Sequence, residues 1–126
     1  MNPSPMHNIS VYAKGVMGET AACDFLIARG LSPIQRRYHS PYGEIDLIMI
    51  DHEVLVFVEV KARERASTLS AQAAITPRKQ RNLVNTARCY LSEHPEHGKR
   101  AVRFDVVTVT KDGIQHISNA FEGSEW

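Results

Sequence analysis

The segments Glu44–Ile50 and Val54–Lys61 constrain the fold more than any other part of this chain. Both are rich in Ile, Val and Leu, and only the polar residues Asp51–Glu53 separate them. Apolar runs of this length with so short a connection are typical of a β-hairpin. We therefore predict two adjacent antiparallel strands joined by a tight turn.

The register of this hairpin decides which side chains share a face, because a slip of one residue exchanges the two faces. If Asp51 pairs with Val54, one face is entirely apolar, with Ile45, Leu47, Met49, Val56, Val58 and Val60. The other face is apolar near the turn and ends in two charged pairs, Asp46–Glu59 and Glu44–Lys61. A slip would set the members of each pair against apolar residues, so we predict the first register.

Two carboxylates opposite each other on neighbouring strands would have their β-carbons about 4.5–5.5 Å apart, which is destabilising. Either Asp46 and Glu59 share a proton, or a cation lies between them. Oxygen ligands favour a hard ion such as Mg²⁺ or Mn²⁺. Lys61, two residues after Glu59, would point to the same side and could stabilise charge developing on a phosphate. The alternative is a solvated rim with ordinary ion pairs, Glu44–Lys61 and Asp46–Arg63.

The rest of the pattern predicts one α/β domain over residues 1–126, in which residues 1–12 are a flexible lead-in. The expected order is α-β-β-β-α-β-β, with a mixed sheet flanked by helices. The elements outside the hairpin are a helix over Lys14–Arg29, an edge strand over Leu31–Tyr38, a helix from Thr76-Pro77 to about Ser92, and strands over Val102–Thr110 and Ile114–Ile117. Arg63–Ile75 is a loop or a weak helix.

Charge is segregated along the chain although its net value is only +1. Lys61–Arg103 holds ten Lys or Arg against three Glu, whereas the remainder holds five against eleven Asp or Glu. This distribution suits an anionic polymer held beside a carboxylate-bound metal, although accidental segregation is the simpler alternative. The two cysteines lack metal-ligand spacing, and no segment has the pattern of a signal or membrane span. A cytoplasmic protein is expected.

The second predicted helix carries a polar stripe formed by Arg78, Arg81, Asn85 and Arg88. Such a stripe is either the solvated face or a set of phosphate contacts, and we predict nucleic-acid contacts at Arg63, Arg78, Lys79, Arg81 and Arg88. Asp105 alternates with Arg103 in an apolar strand and is expected to be a structural ion-pair partner.

The motifs Gly43-Glu44-Ile45-Asp46-Leu47-Ile48 and Phe57-Val58-Glu59-Val60-Lys61-Ala62-Arg63 resemble those of a widespread, largely uncharacterised bacterial family. That family is usually placed in the restriction-endonuclease-like, or PD-(D/E)XK, superfamily near the archaeal Holliday junction resolvases. The superfamily signature is an Asp, a gap and then (Asp/Glu)-X-Lys, and here twelve residues separate Asp46 from Glu59-Val60-Lys61. Gly18-Glu19 opening the first helix, Lys79-Gln80 and Phe104-Asp105-Val106-Val107 also match.

The resemblance implies a restriction-endonuclease-like fold and a Mg²⁺- or Mn²⁺-dependent endonuclease acting on DNA, with branched or damaged DNA as candidate substrates. It implies a site in which each residue has a role: Asp46, Glu59 and the Val60 carbonyl bind metal, Lys61 is catalytic, and Glu19 and Gln80 support the site. Glu44 is a further candidate ligand unless it pairs with Lys61. By analogy with resolvases, a homodimer is implied. The alternative function is a nucleic-acid-binding or assembly module without catalysis.

Overall fold

The computed structural model describes residues 11–63 and 75–122, and only the backbone of residues 11–16. Its elements are α1 (Val11–Ala28), β1 (Ser32–Ser40), β2 (Gly43–Asp51), β3 (Val54–Ala62), α2 (Pro77–Glu93), β4 (Val102–Thr110) and β5 (Gly113–Phe121). A short 3₁₀ turn, Pro95–His97, follows α2. The predicted order α-β-β-β-α-β-β is confirmed. The predicted lead-in falls mostly on residues 1–10, and most of the predicted loop on residues 64–74, which lie outside the described residues.

The five strands form one mixed sheet in the order β1-β2-β3-β4-β5. All neighbours are antiparallel except β3 and β4, which are parallel. Parallel neighbours need a crossover connection, and α2 lies on the connection that joins them. In this strand order β3 is the central strand. β1 is an edge strand, as Pro33 predicted.

Each face of the sheet is covered by one helix, which gives the chain two apolar clusters. The α1 side contains Ala22, Cys23 and Leu26 against Leu47, Met49, Val56, Val58 and Val107. The α2 side contains Leu83, Ala87 and Tyr90 against Ile45, Ile48, Leu55, Phe57 and Phe104. The alternation of side chains along β3 therefore sends Val56 and Val58 to one helix, and Leu55 and Phe57 to the other.

α2 begins where its capping residues predict. The Thr76 side chain accepts a hydrogen bond from the Lys79 amide at 3.1 Å, and Pro77 occupies the first helical position, where a missing N–H costs nothing. α1 differs from its prediction, because it begins at Val11 rather than at about residue 14. Gly18 therefore lies inside the helix and does not open it.

Gly18 has a packing role instead. A β-carbon built at Gly18 would lie 2.8 Å from the Ala62 β-carbon at the end of β3. Any side chain here would push α1 away from the sheet, since real β-carbons essentially never approach so closely. The missing side chain lets α1 approach the end of β3 closely.

β5 runs four residues beyond its predicted end at Ile117. The extension contains a bulge, because the β4–β5 register shifts between Phe104 and Val106, and Asn119 has a φ of 54°. Asp105 holds this irregular segment, since its carboxylate accepts a hydrogen bond from the Asn119 amide at 2.9 Å. A bulge fixed by a buried side chain on a neighbouring strand has no local sequence signal, so the sequence predicted a strand that ends at Ile117.

Candidate metal centre

The hairpin register is confirmed near its turn and ends before the charged residues. Asp51 pairs with Val54, Ile50 with Leu55, and the ladder continues to Leu47 opposite Val58. The expected pairs Ile45–Val60, Asp46–Glu59 and Glu44–Lys61 are not part of the described ladder. At that point the Val60 amide donates to Oδ2 of Asp46 at 2.8 Å. The Asp46 side chain thus takes the place of the backbone carbonyl of β2 that would otherwise accept from the Val60 amide.

The pairing of β1 with β2 is interrupted at the same level. It omits Arg37 opposite Asp46, and Arg37 has a φ of 55°, which is rare for a residue with a side chain. On the far side of the interruption, Ile45 and Tyr38 pack in the α2-side cluster, whereas Leu47 packs on the α1 side. The prediction that Ile45 shares a face with Leu47 is wrong, because regular alternation stops at Asp46.

Asp46 lies where the two strands diverge, and its surroundings oppose its ionisation. Burial, followed by the nearby Glu59 carboxylate, raises the pKa of Asp46 to about 7, although the hydrogen bond from the Val60 amide lowers it. Burial also raises the pKa of Glu59, and the Lys79 and Lys61 ammonium groups oppose that rise. Two carboxyl groups so placed favour either a retained proton or a bound cation.

Glu59 is buried, with only 9% of its surface exposed, and its two oxygens differ. Oε1 lies 3.6 Å from the Lys79 ammonium at the first turn of α2. Oε2 is buried and has no hydrogen-bond partner among the described residues. An unpaired buried carboxylate oxygen is costly, so this atom is open to a further hydrogen-bond donor or a cation.

Lys61 forms no ion pair with any residue of the ranges 11–63 and 75–122. Its expected partner Glu44 instead lies 3.8 Å from Nε2 of His39, at the edge of the sheet. The ion pair Glu44–Lys61 that would have occupied the lysine is therefore not formed. The Asp46–Arg63 pair is also absent from the salt bridges of the described residues, and the Asp46 carboxylate accepts from the Val60 amide.

The Val60 carbonyl points into the same gap. In an extended strand the N–H and C=O of one residue point to the same side, and the Val60 N–H points to Asp46. Carboxylate oxygens of Asp46 and Glu59 and the Val60 carbonyl are the oxygen donors that Mg²⁺ and Mn²⁺ prefer. Within the described chain, no three His, Cys, Asp or Glu side chains form a metal-holding group. The candidate donors at this position are therefore two carboxylates and one backbone oxygen.

Glu19 reaches this region from α1 and is buried, with 5% of its surface exposed. Its carboxylate accepts from the Arg37 guanidinium at 2.8 and 3.0 Å, and its charge contributes to the raised pKa of Asp46. Gln80 is half-buried, and its amide donates to the Ile75 carbonyl at 3.1 Å. Both residues therefore have structural partners, and Glu19 also lies close enough to Asp46 to affect its pKa.

The predicted nucleic-acid contacts divide into two groups. Arg63, Arg78, Arg81 and Arg88 are exposed. Lys79 is half-buried, and its ammonium lies 3.6 Å from Oε1 of Glu59. Asp105 is a structural partner, as expected: it is fully buried and binds the Arg103 guanidinium at 2.9 and 3.0 Å and Nε2 of His116 at 2.8 Å.

The sequence analysis did not predict Arg37 as a residue of this site. It also did not predict that Lys79 pairs with Glu59. Arg37 pairs with Glu19 from a left-handed backbone conformation. Neither a glycine nor a turn motif in the sequence predicts that conformation. Lys79 faces Glu59 only because α2 crosses the sheet at that level. Both are tertiary relationships between elements far apart in sequence.

The fold and the site together define a mixed α/β protein with a five-stranded sheet flanked by two helices. Where β2 and β3 stop pairing, the half-buried Asp46 carboxyl group lies near the buried Glu59 carboxylate. The chain belongs to the uncharacterised protein family UPF0102, whose profile matches residues 18–109. Within the described residues, no helix is both long enough and apolar enough to cross a membrane.

Several UPF0102 proteins are similar over most of their length. The protein from Alcanivorax borkumensis is 44% identical, and the match covers 82% of this chain and 86% of the relative. The protein from Saccharophagus degradans is 41% identical, with 88% and 94% covered. That from Rhodopseudomonas palustris strain BisB18 is 38% identical, with 92% and 85% covered.

Proposed function

We propose that this protein is a Mg²⁺- or Mn²⁺-dependent endonuclease, a phosphodiesterase that acts on DNA. The observation that carries the proposal is the Oε2 atom of Glu59, buried without a hydrogen-bond partner among the described residues and close to the protonation-prone Asp46. A divalent cation would satisfy both groups at once. The order of elements, with a helix joining two parallel strands, supports a restriction-endonuclease-like core related to the resolvases.

Asp46, Glu59 and the Val60 carbonyl would hold the cation, with Glu44 at the rim as a further candidate. When bound, a divalent cation supplies positive charge for a pentavalent phosphate and a water of lowered pKa. The chain's own contribution is rigidity, since Asp46 is tied to β3 through the Val60 amide. Fixed ligands avoid the cost of reorganising the site during reaction.

Lys61 would donate to a phosphate oxygen or orient the attacking water. Its side chain has no ion-pair partner within the described chain, so its ammonium is available for this role. Lys79 occupies the other oxygen of Glu59 and helps to keep that carboxylate ionised. The exposed Arg78 and Arg81 on α2 would contact the DNA backbone beside the cut.

The substrate follows from the charge distribution. The basic segment Lys61–Arg103 includes α2 and the strand end that bears the site, so the polymer would lie along α2. Phosphate contacts carry no sequence information, and we therefore propose selection of DNA shape, such as a branch or a lesion. A homodimer, as in the resolvases, would present two such sites to one branched substrate.

A second candidate is a nucleic-acid-binding or assembly module that keeps the fold without catalysis. The observation that favours it is that cationic side chains already pair with two of the acidic residues, Arg37 with Glu19 and Lys79 with Glu59. Such pairs reduce the negative charge that would attract a cation. Binding of DNA without cutting it would identify this function.

The test is cleavage of four-way junction, flap and single-stranded DNA with Mg²⁺ or Mn²⁺. Wild type is compared with Asp46→Ala and Lys61→Ala, and with Arg29→Ala as a control that removes an exposed cation just after α1, outside the basic segment. We expect cutting to be lost in both site variants and kept in the control. Activity that survives both site substitutions excludes this mechanism.

A further inference from the structure

Thr108 on β4 is the direct neighbour of Lys61 in the parallel β3–β4 ladder. The register between these strands is uniform from Leu55 to Ala62, so opposed residues share a face. Neighbouring strands lie about 4.8 Å apart, which places the Thr108 hydroxyl within reach of a lysine side chain. Thr108 is thus part of the same face as Glu59 and Lys61, although the proposed cation ligands do not include it.

The Thr108 hydroxyl is a buried polar atom without a hydrogen-bond partner among residues 11–63 and 75–122. The other such atom in the described chain is Oε2 of Glu59, and the two flank Lys61 on one face of the sheet. Buried hydroxyl groups are normally paired, because leaving one unpaired destabilises the folded state. The Thr108 hydroxyl can accept a hydrogen bond. The neighbouring Lys61 ammonium, which has no ion-pair partner within the described chain, can donate one.

We propose that Thr108 is a positioning residue for Lys61: once a cation neutralises Glu59, the Thr108 hydroxyl accepts a hydrogen bond from the Lys61 ammonium. The lysine stem has four flexible carbons, and an ammonium carries three donors. One hydrogen bond to Thr108 would select one arrangement of that stem and leave two donors for a phosphate oxygen and a water. The contact rests on the proposed cation site, and its catalytic consequence rests on the proposed nuclease function.

Thr108→Val tests the contact, because valine keeps the shape of threonine and removes only the hydroxyl. Thr108→Ser restores the hydroxyl and is the rescue variant. Thr110→Val is the matched control on the same strand, since the Thr110 hydroxyl donates to the Gly113 carbonyl and accepts from the Asp112 amide in the β4–β5 turn. The same chemical change is therefore made once at an unpaired hydroxyl and once at a paired one.

Three measurements separate positioning from a structural role. For Thr108→Val we expect a Tm no lower than that of wild type, whereas Thr110→Val lowers it. By NMR relaxation of the Lys61 side-chain nitrogen, Thr108→Val leaves the ammonium as mobile as in wild type without Mg²⁺ and makes it more mobile with Mg²⁺, whereas Thr108→Ser and Thr110→Val match wild type in both conditions. In DNA cleavage, Thr108→Val lowers kcat about 10-fold or more with KM unchanged, and Thr108→Ser recovers most of it.

The outcomes distinguish the two proposals. If wild type cuts no DNA but Thr108→Val loosens the Lys61 ammonium, the nuclease function fails and the contact stands. If wild type cuts DNA and Thr108→Val cuts equally well with unchanged Lys61 mobility, the contact is overturned and the nuclease function stands. A Tm loss in Thr108→Val as large as in Thr110→Val also overturns it, because the hydroxyl would then be paired in the free protein.

Discussion

The backbone amide of Val60 donates to the carboxylate of Asp46 across 2.8 Å, at the level where β2 and β3 stop pairing through their backbones. One side chain therefore serves both as the last connection between two strands and as a candidate metal ligand. Substitutions here have effects on stability and on chemistry that can be separated by changing one property at a time.

We predict that the metal-free protein loses stability as pH rises, because of Asp46. The pKa of Asp46 is raised to about 7 in the folded chain, so between about pH 4 and pH 7 the folded state holds a proton that the unfolded state has released. The contribution is full below about pH 4 and is lost as pH rises through 7. Asp46→Asn keeps an acceptor for the Val60 amide and cannot ionise.

Thermal unfolding of both proteins between pH 4 and pH 8 checks this prediction. Asp46→Asn should have a Tm about 5 °C or more above wild type at pH 8, and the difference should shrink towards pH 4. Equal Tm differences at pH 4 and pH 8 would show that Asp46 ionises normally.

We predict that Mg²⁺ or Mn²⁺ raises the Tm of the wild type at pH 8, since a ligand of the folded state stabilises it. The shift should be smaller at pH 6, where Asp46 retains its proton, because the cation must displace that proton. Glu59→Gln should abolish most of the shift. Glu53→Gln, in the exposed hairpin turn at the other end of the same strands, is the matched control and should keep it. An undiminished shift in Glu59→Gln would remove Glu59 from the site.

We predict that Gly18→Ala destabilises the protein by about 1–3 kcal/mol, although alanine is the better helix former. The added β-carbon would lie 2.8 Å from that of Ala62. Ala62→Gly in the same chain should recover most of the loss, and a double-mutant cycle in chemical denaturation measures this coupling. Asp24→Ala, at an exposed position of α1, is the control that should leave stability nearly unchanged. Additive effects of the Gly18 and Ala62 substitutions would contradict the close approach.

We predict that Asp105→Ala costs about 3–5 kcal/mol, because it leaves the Arg103 guanidinium and the Asn119 amide without their buried acceptor. Asp51→Ala removes only one contact to Arg103 from a partly exposed carboxylate, and should cost about 1 kcal/mol. Chemical denaturation of the two variants compares the losses. If Asp105→Ala lowers the free energy of unfolding no more than Asp51→Ala does, the hydrogen bonds of Asp105 do not hold β5 in place.

Local sequence signals predicted the elements well where one residue acts on its own neighbours. Thr76 and Pro77 predicted the start of α2, and the apolar runs predicted the β2–β3 register near the turn. The divergence at Asp46 was not predictable, because there a side chain competes with the backbone for the Val60 amide. Asp46 and Glu59 were recognisable as a pair, but the cations that pair with the site's acids come from other elements.

The hydrogen bond between Val60 and Asp46 also provides a spectroscopic reporter. An amide proton bound to a carboxylate is held in a stronger, shorter hydrogen bond than one bound to a neutral acceptor, so its chemical shift depends on the charge of that acceptor. The Val60 signal in a ¹H–¹⁵N correlation spectrum can therefore follow Asp46 through protonation and cation binding. The state of the site can be read in this way in the unsubstituted protein, from one backbone atom on the central strand of the sheet.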